Sequence, residues 1–230
     1  MANWPERAFQ SVVKIHLFEK GTKKHLGNGT GFFIHSSGLI ITCAHVLRAD
    51  NDTADIFITQ QHPPHFKSKA TLLHKTTASD IAILQPDVLK KEVVPIRFGD
   101  TNVNIGDHIC MVGCPGSDYN VVATTGRLSS KDAEVYIEGM KYIRFRTDSA
   151  GNPGQSGGPV FKGEQLIGIF SDQTLYNVTQ RSGRFIQAHE QNGSLFIPMD
   201  QVAKFLGEHF DALPQAAKDD IQFQHFKLNA

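Results

Sequence analysis

At 230 residues, with Lys plus Arg and Asp plus Glu both at 23, the chain can form one large domain or two small ones and carries no overall charge bias. Its 40% hydrophobic and 20% charged composition is that of an ordinary globular protein. Nucleic acid is not expected as a partner, because phosphate binding calls for a basic excess. The apolar run from Leu39 to Leu47, interrupted by Thr42 and His45, is too short to cross a membrane.

The opening Met-Ala-Asn-Trp-Pro-Glu-Arg-Ala lacks a basic stretch followed by an apolar one, so no secretory signal is expected and the chain reads as cytoplasmic. Three cysteines, an odd number, do not suggest a disulfide framework. Cys110 and Cys114 lie four residues apart on one strand, a span of about 13 Å that forbids a bridge. Cys43 reads as a small buried apolar residue. In a reducing compartment the Asn-x-Ser/Thr matches at Asn28, Asn51, Asn177 and Asn192 have no glycosylation role.

In chain order, β-rich segments are predicted at Ser11 to Phe18, Gly31 to Ile34, Leu39 to Cys43, Ala54 to Thr59, Ala70 to His74 and Asp80 to Leu84. Beyond a break at Gly99 to Gly106 they continue at His108 to Val112, Val121 to Arg127, Glu134 to Ile137, Tyr142 to Arg146, Pro159 to Phe161, Gln165 to Ser171 and Leu195 to Pro198. Many short strands at regular turn spacing indicate an all-β barrel or sandwich architecture. One helix is predicted near the end, capped by Asp200, with Val202, Phe205, Leu206 and Phe210 facing the second half. After Leu213-Pro214 a polar, loosely held tail is expected. This divides the chain into 1–100, 101–212 and a tail over 213–230, with His45 and Asp80 on the first half and Ser156 on the second.

Three fragments carry chemistry. They are Ile-Ile-Thr-Cys-Ala-His-Val-Leu (40–47), Ser-Asp-Ile-Ala-Ile-Leu (79–84) and Gly-Asn-Pro-Gly-Gln-Ser-Gly-Gly-Pro-Val (151–160). A serine hydroxyl is too weak a nucleophile at neutral pH without a neutral imidazole in reach, and that imidazole needs a carboxylate to fix its tautomer. His45, Asp80 and Ser156 supply the three groups. An oxyanion hole is expected on Gly154, Gln155 and Ser156, with the amides of Gly154 and Ser156 as donors in a loop of little side-chain bulk. Taken singly, the fragments also read as a flexible turn, a core histidine and a strand-entry turn. Their occurrence together, in His, Asp, Ser order, favours the nucleophilic reading.

His62-Pro-Pro-His65 is the closest histidine pair, but two prolines extend it and nothing completes a ligand set, so neither metal nor cofactor is expected.

These residues resemble the chymotrypsin-fold serine proteases, most closely the protease domain of the HtrA (Deg) group. The similarity runs through Ser11-Val-Val-Lys-Ile, Gly29-Thr-Gly-Phe-Phe-Ile, the three fragments above, Leu166-Ile-Gly-Ile and Phe196-Ile-Pro-Met, covering roughly residues 11 to 210. The resemblance implies two six-stranded antiparallel β-barrels with the triad between them, and peptide-bond hydrolysis through an acyl-enzyme. The implied partner is a protein or peptide substrate. HtrA proteins usually carry PDZ domains after the protease domain, and about twenty residues follow the terminal helix here, so PDZ-dependent activation is not carried over. Trp4 and Phe9 could serve the N-terminal trimer contact of the family or simply pack on the nearest barrel; monomer and homotrimer both stay open.

Within that resemblance, Gln155 stands where cleavage-activated zymogens have an aspartate, so no activating cleavage is expected. Ala150 stands where trypsin has its specificity aspartate, which disfavours Arg and Lys and leaves a small or medium uncharged side chain. Asp148 is expected to hold the serine loop. The opposite pocket wall is assigned to Phe170, Ser171, Asp172 and Gln173, and Ser171 is also placed to steady Asp80. Two alternatives accompany this reading. One is a catalytically silent peptide-binding pseudoprotease; the other is a self-processing viral-type protease, since Gly-Gln-Ser-Gly-Gly is similar to the Gly-Gln-Cys-Gly-Gly loop of picornaviral enzymes.

Overall fold

The computed structural model describes residues 4–47, 53–62, 65–89, 92–99, 102–116, 120–137, 140–179 and 185–220. Its strands close into two antiparallel barrels of six. The first comprises β1 (Val12–Glu19), β2 (His25–Phe33), β3 (Ile40–Cys43), β4 (Ala54–Gln60), β5 (Phe66–Thr76) and β6 (Ile81–Pro86), in the order β1-β2-β3-β6-β5-β4. The second comprises β7 (His108–Gly113), β8 (Val122–Ile137), β9 (Met140–Thr147), β10 (Pro159–Lys162), β11 (Gln165–Thr179) and β12 (Phe185–Pro198), in the order β10-β11-β12-β9-β8-β7.

Burial along the strands shows how the barrels meet. β4 alternates buried and half-buried positions, as a strand with one covered face should. On β1, Val13, Ile15 and Leu17 form one buried set, yet Val12 and Lys14 on the opposite face are buried as well. The second barrel covers that other face: the Lys14 ammonium donates to the Gly116 carbonyl, just past β7, at 2.7 Å. Apolar side chains of the two barrels share one continuous core, in which Ile15, Ile41 and Ile83 join Val112, Phe161, Ile169 and Ile197. A smaller cluster of Ile109, Met111, Leu128, Val160, Ile167, Phe170 and Phe196 fills the second barrel.

Several elements depart from the sequence expectation. The predicted strands at 121–127 and 134–137 are one strand, β8, because register shifts near Leu128, Ser130 and Ala133 absorb the turn-like Ser-Ser-Lys-Asp segment without ending the ladder. β11 and β12 run well beyond 171 and begin well before 195, pairing as far out as Thr179 with Phe185. An unpredicted helix, α1 (Trp4–Ser11), precedes β1; Pro5 is tolerated in its first turn, and Ala8 is buried. Phe9 packs partly buried on the first core, with its ring 5.2 Å from that of His62.

The predicted C-terminal helix is α2 (Met199–Glu208), but Pro198 and not Asp200 is its N-cap. Asp200 lies in the first turn, where a carboxylate suits the helix dipole. The helix also spans both barrels instead of docking on the second alone. The Phe205 ring sits 5.8 Å from His74 on β5, while Gln201 donates to the Ile143 carbonyl on β9 at 2.7 Å. Residues 213–220 are not a loose tail. They form a short α3 (Gln215–Lys218), with Leu213 and Ala217 buried in the core.

Candidate active site

β3 is buried along its whole length, and the single 3₁₀ turn that follows it, Ala44–Val46, buries Ala44 and Val46 while turning His45 outward. The His45 side chain is 41% exposed. Asp80 sits just before β6, 7% exposed, at φ +61; it is the non-glycine residue with positive φ among those described. A carboxylate residue adopts that conformation more readily than most, and here the fold holds it firmly. The Asp80 amide donates to the Thr77 carbonyl at 3.2 Å, and its own carbonyl accepts from the Ala44 amide at 3.1 Å.

The side chains complete the connection. The His45 backbone amide donates to Asp80 Oδ1 at 2.9 Å, and ring Nδ1 lies 2.8 Å from Oδ2 and 3.0 Å from Oδ1. A carboxylate accepts only, so in the neutral ring Nδ1 carries the hydrogen and Nε2 is the unprotonated nitrogen. Ser171 Oγ donates to Asp80 Oδ2 at 2.8 Å, from the second barrel. Burial pushes the Asp80 carboxyl up, but the hydrogen bonds and charge of His45, with the Ser171 hydroxyl, outweigh it and hold Asp80 below the ordinary carboxylate range.

Ser156 is carried by a loop docked against the histidine's barrel. Its carbonyl accepts from the Thr30 amide of β2 at 2.9 Å, and the Gly154 carbonyl accepts from Thr30 Oγ1 at 2.7 Å. The Gly157 amide donates to the Phe170 carbonyl at 2.7 Å, which also accepts from Cys43 Sγ at 3.3 Å. Gly157 has φ +89, and a Cβ there would lie 2.1 Å from the Thr30 carbonyl and 2.2 Å from Thr42 Oγ1. Only glycine permits so close an approach of the serine loop to β2 and β3.

The three oxyanion-hole candidates divide their roles. Gly154 has φ +97, and among the described residues neither its amide nor that of Ser156 donates to a protein acceptor. Gln155 is buried and braces the loop: its Oε1 accepts from the Asn152 amide at 2.7 Å, while its own amide donates to the Asn152 carbonyl at 3.0 Å. Gln155 Nε2 reaches Thr124 Oγ1 at 3.3 Å. The position thus holds a neutral side chain with both polar ends satisfied. Asp148 braces the approach to the loop, its Oδ1 accepting from the Arg127 amide at 2.6 Å.

The pocket residues are less uniform. Ala150 is exposed. Phe170 is 1% exposed, and its ring lies 2.2 Å from where a Gly151 Cβ would stand, so it supports the loop from beneath instead of presenting an open wall. The Ser171 hydroxyl is engaged by Asp80. Asp172 and Gln173 continue the β11 backbone, but their side chains lie outside the described residues, as does that of Trp4. An open depression of about 490 Å³, lined by Pro115, Gly116, Asn120, Val122, Asn152 and Pro153, borders the serine loop and was not foreseen.

Two further residues escaped the sequence reading because each is a cation on a strand, where a charge normally marks a solvated face. Lys14 and Arg144 are both 1% exposed. Cys43, His45 and Asp80 hold donor atoms within 4.8 Å of one another. Burial first, and then the Asp80 charge, raise the Cys43 thiol well above its usual range, so it stays protonated, and the other two groups are bonded to each other. The arrangement suits proton transfer better than metal ligation.

Comparison with known proteins settles the family. The trypsin-like peptidase domain matches residues 29–169, more than half of the chain. The chain belongs to that family. It is 33% identical over 153 residues to a probable periplasmic serine endoprotease, DegP-like, of Rickettsia conorii, covering 64% of this chain and 29% of that protein. Serine protease HTRA3 of Rattus norvegicus is 27% identical over 223 residues, covering 92% of this chain and 44% of that protein. The crystal structure of Deg5 superimposes with a TM-score of 0.67 at 23% identity, covering 87% of this chain and 88% of that one. The trypsin-like peptidase domain is therefore HtrA-like, with the Deg5 fold, and it spans less than half the length of these curated relatives.

Proposed function

We propose that this domain is a serine endopeptidase that cleaves protein substrates through His45, Asp80 and Ser156. The observation that carries the reading is the double attachment of His45 to Asp80, through the backbone amide and ring Nδ1 together, beside a glycine-framed serine loop. In this mechanism Ser156 Oγ attacks the scissile carbonyl carbon and its proton passes to His45 Nε2. The resulting oxyanion is held by the amides of Gly154 and Ser156. The C–N bond then breaks as His45 returns the proton to the leaving amine, and water releases the acyl-enzyme by the same route in reverse. The names of the relatives, serine endoproteases and a serine protease, support the same chemistry.

Activation needs no new N-terminus on this reading. In a cleavage-activated enzyme a buried aspartate awaits an ammonium partner; here Gln155 fills the position without charge, already bonded to Asn152 and Thr124. Ala150 offers no anion to a basic side chain, so the preferred residue on the acyl side is small or medium and uncharged. Incubation with a proteome-derived peptide library, read by mass spectrometry, tests turnover and preference together. New termini after small uncharged residues, absent with Ser156→Ala, are expected. The same cleavages by Ser156→Ala would refute the mechanism, and cleavage dominated by Lys and Arg would refute the pocket assignment.

A further inference from the structure

Among the described residues the formally charged side chains that are buried are Lys14, Asp80 and Arg144. Arg144 lies on β9 of the second barrel, yet its Nη2 donates to the carbonyl of Ser79, on the first barrel, at 3.0 Å. Nη1 donates to Gln201 Oε1 on α2 at 2.7 Å and to the Ile143 carbonyl at 3.3 Å. Gln201 Nε2 closes the ring by donating to that same Ile143 carbonyl. The Tyr142 ring lies 5.7 Å from Cζ. Among the described residues no carboxylate comes within 4.0 Å, so there the guanidinium is hydrogen-bonded without a direct ion pair.

A buried cation without a counter-charge is costly, and hydrogen bonds to neutral acceptors only partly offset that cost. The residue that follows Ser79 is Asp80. Burial pushes the guanidinium down from its ordinary range, and the Asp80 charge is the first influence opposing it. We propose that Arg144 is a positioning residue for the His45–Asp80 pair, clamping the Ser79–Asp80 peptide from the opposite barrel and setting a fixed positive charge against the buried carboxylate. Two links follow from one side chain. The charge-assisted bond holds Asp80 in its strained backbone conformation, and the positive potential restrains the pull of Asp80 on a proton at His45. Gln201 fixes the fork, so α2 belongs to the support of the site and is more than a cover for the core.

The inference rests on the triad reading, and its test separates the two. In a Ser156→Ala background, the His45 ring is titrated by NMR in Arg144→Gln, Arg144→Lys and Gln201→Ala; the same changes in the active enzyme are followed by kcat, KM and the acid limb of kcat/KM. With Arg144→Gln, the proton affinity of His45 should rise roughly threefold or more. The acid limb should move to higher pH in step, and kcat should fall roughly tenfold at constant KM. Arg144→Lys should keep the limb near its original position. Gln201→Ala, which leaves the charge, should lower kcat without moving the limb. A folded Arg144→Gln protein with unchanged His45 titration would overturn the proposal, even if it melted earlier. If Arg144→Gln does not fold, a shift of roughly threefold or more in Arg144→Lys or Gln201→Ala would overturn it, because the charge survives in both. A protein that neither cleaves peptides nor labels at Ser156, but whose His45 titration still responds to Arg144, would defeat the triad reading and leave this inference standing.

Discussion

Asp80 grips His45 at two points, its Oδ1 2.9 Å from the histidine's backbone nitrogen and its Oδ2 2.8 Å from ring Nδ1. The backbone contact fixes where the 3₁₀ turn starts, and the ring contact fixes which nitrogen faces the cleft. Position and tautomer of His45 therefore depend on one carboxylate.

Asp80→Asn tests that dependence cleanly. Asparagine tolerates the +61° φ of this position, so the backbone should persist. An amide can no longer demand a proton on Nδ1, and kcat/KM should fall roughly 10³- to 10⁴-fold with the thermal midpoint little changed. Retention of more than a tenth of the activity would remove Asp80 from the mechanism.

Gly157→Ala should be structurally severe. The added methyl would stand 2.1 Å from the Thr30 carbonyl at a backbone angle that disfavours any side chain. Strain and overpacking together should cost about 3 kcal/mol, measured by urea unfolding in the Ser156→Ala background. A loss under about 1 kcal/mol would mean that the serine loop is not held against β2 and β3 as described.

A folded tag fused to the N-terminus provides a separate test of activation. With Gln155 neutral and satisfied, the fusion should match the untagged protein within about twofold in kcat/KM, because no freed ammonium enters the mechanism. Activity appearing only after tag removal would show that a free N-terminus is required.

His16 should make stability depend on pH. Burial, followed by the charges of Lys14, His25 and Lys67, lowers its pKa from 6.5 to about 4. The folded value lies below the unfolded one, so between these limits the unfolded chain binds a proton that the folded chain does not. Stability is therefore full above about 6.5, falls as pH drops, and levels off below about 4. Discounted for partial exposure, the loss is about 1–2 kcal/mol, and His16→Gln should flatten that part of the curve. An unchanged slope in the variant would assign the pH dependence to other groups.

The candidate site was legible in the sequence where its geometry depends on neighbours in the chain. Gly154, Gly157 and Gly158 must be small around Ser156, and a buried strand must run straight into the turn that carries His45; both conditions leave local signatures. The division into strands was legible for the same reason, except where bulges carry β8 through Ser129 to Asp132, or where the β11–β12 ladder continues through residues with weak alternation. Lys14 and Arg144 were not legible. Each lies on a strand face that looks solvent-exposed until the other barrel covers it, and their carbonyl partners, Gly116 and Ser79, are 102 and 65 residues away in sequence.

The most direct measurement is intact-mass and peptide-level analysis after exposure to a fluorophosphonate probe. Stoichiometric labelling confined to Ser156, lost in Ser156→Ala and strongly slowed in His45→Ala and Asp80→Asn, is the predicted result. Folded wild-type protein that stays unlabelled at Ser156, or is labelled equally fast without His45, would contradict the account.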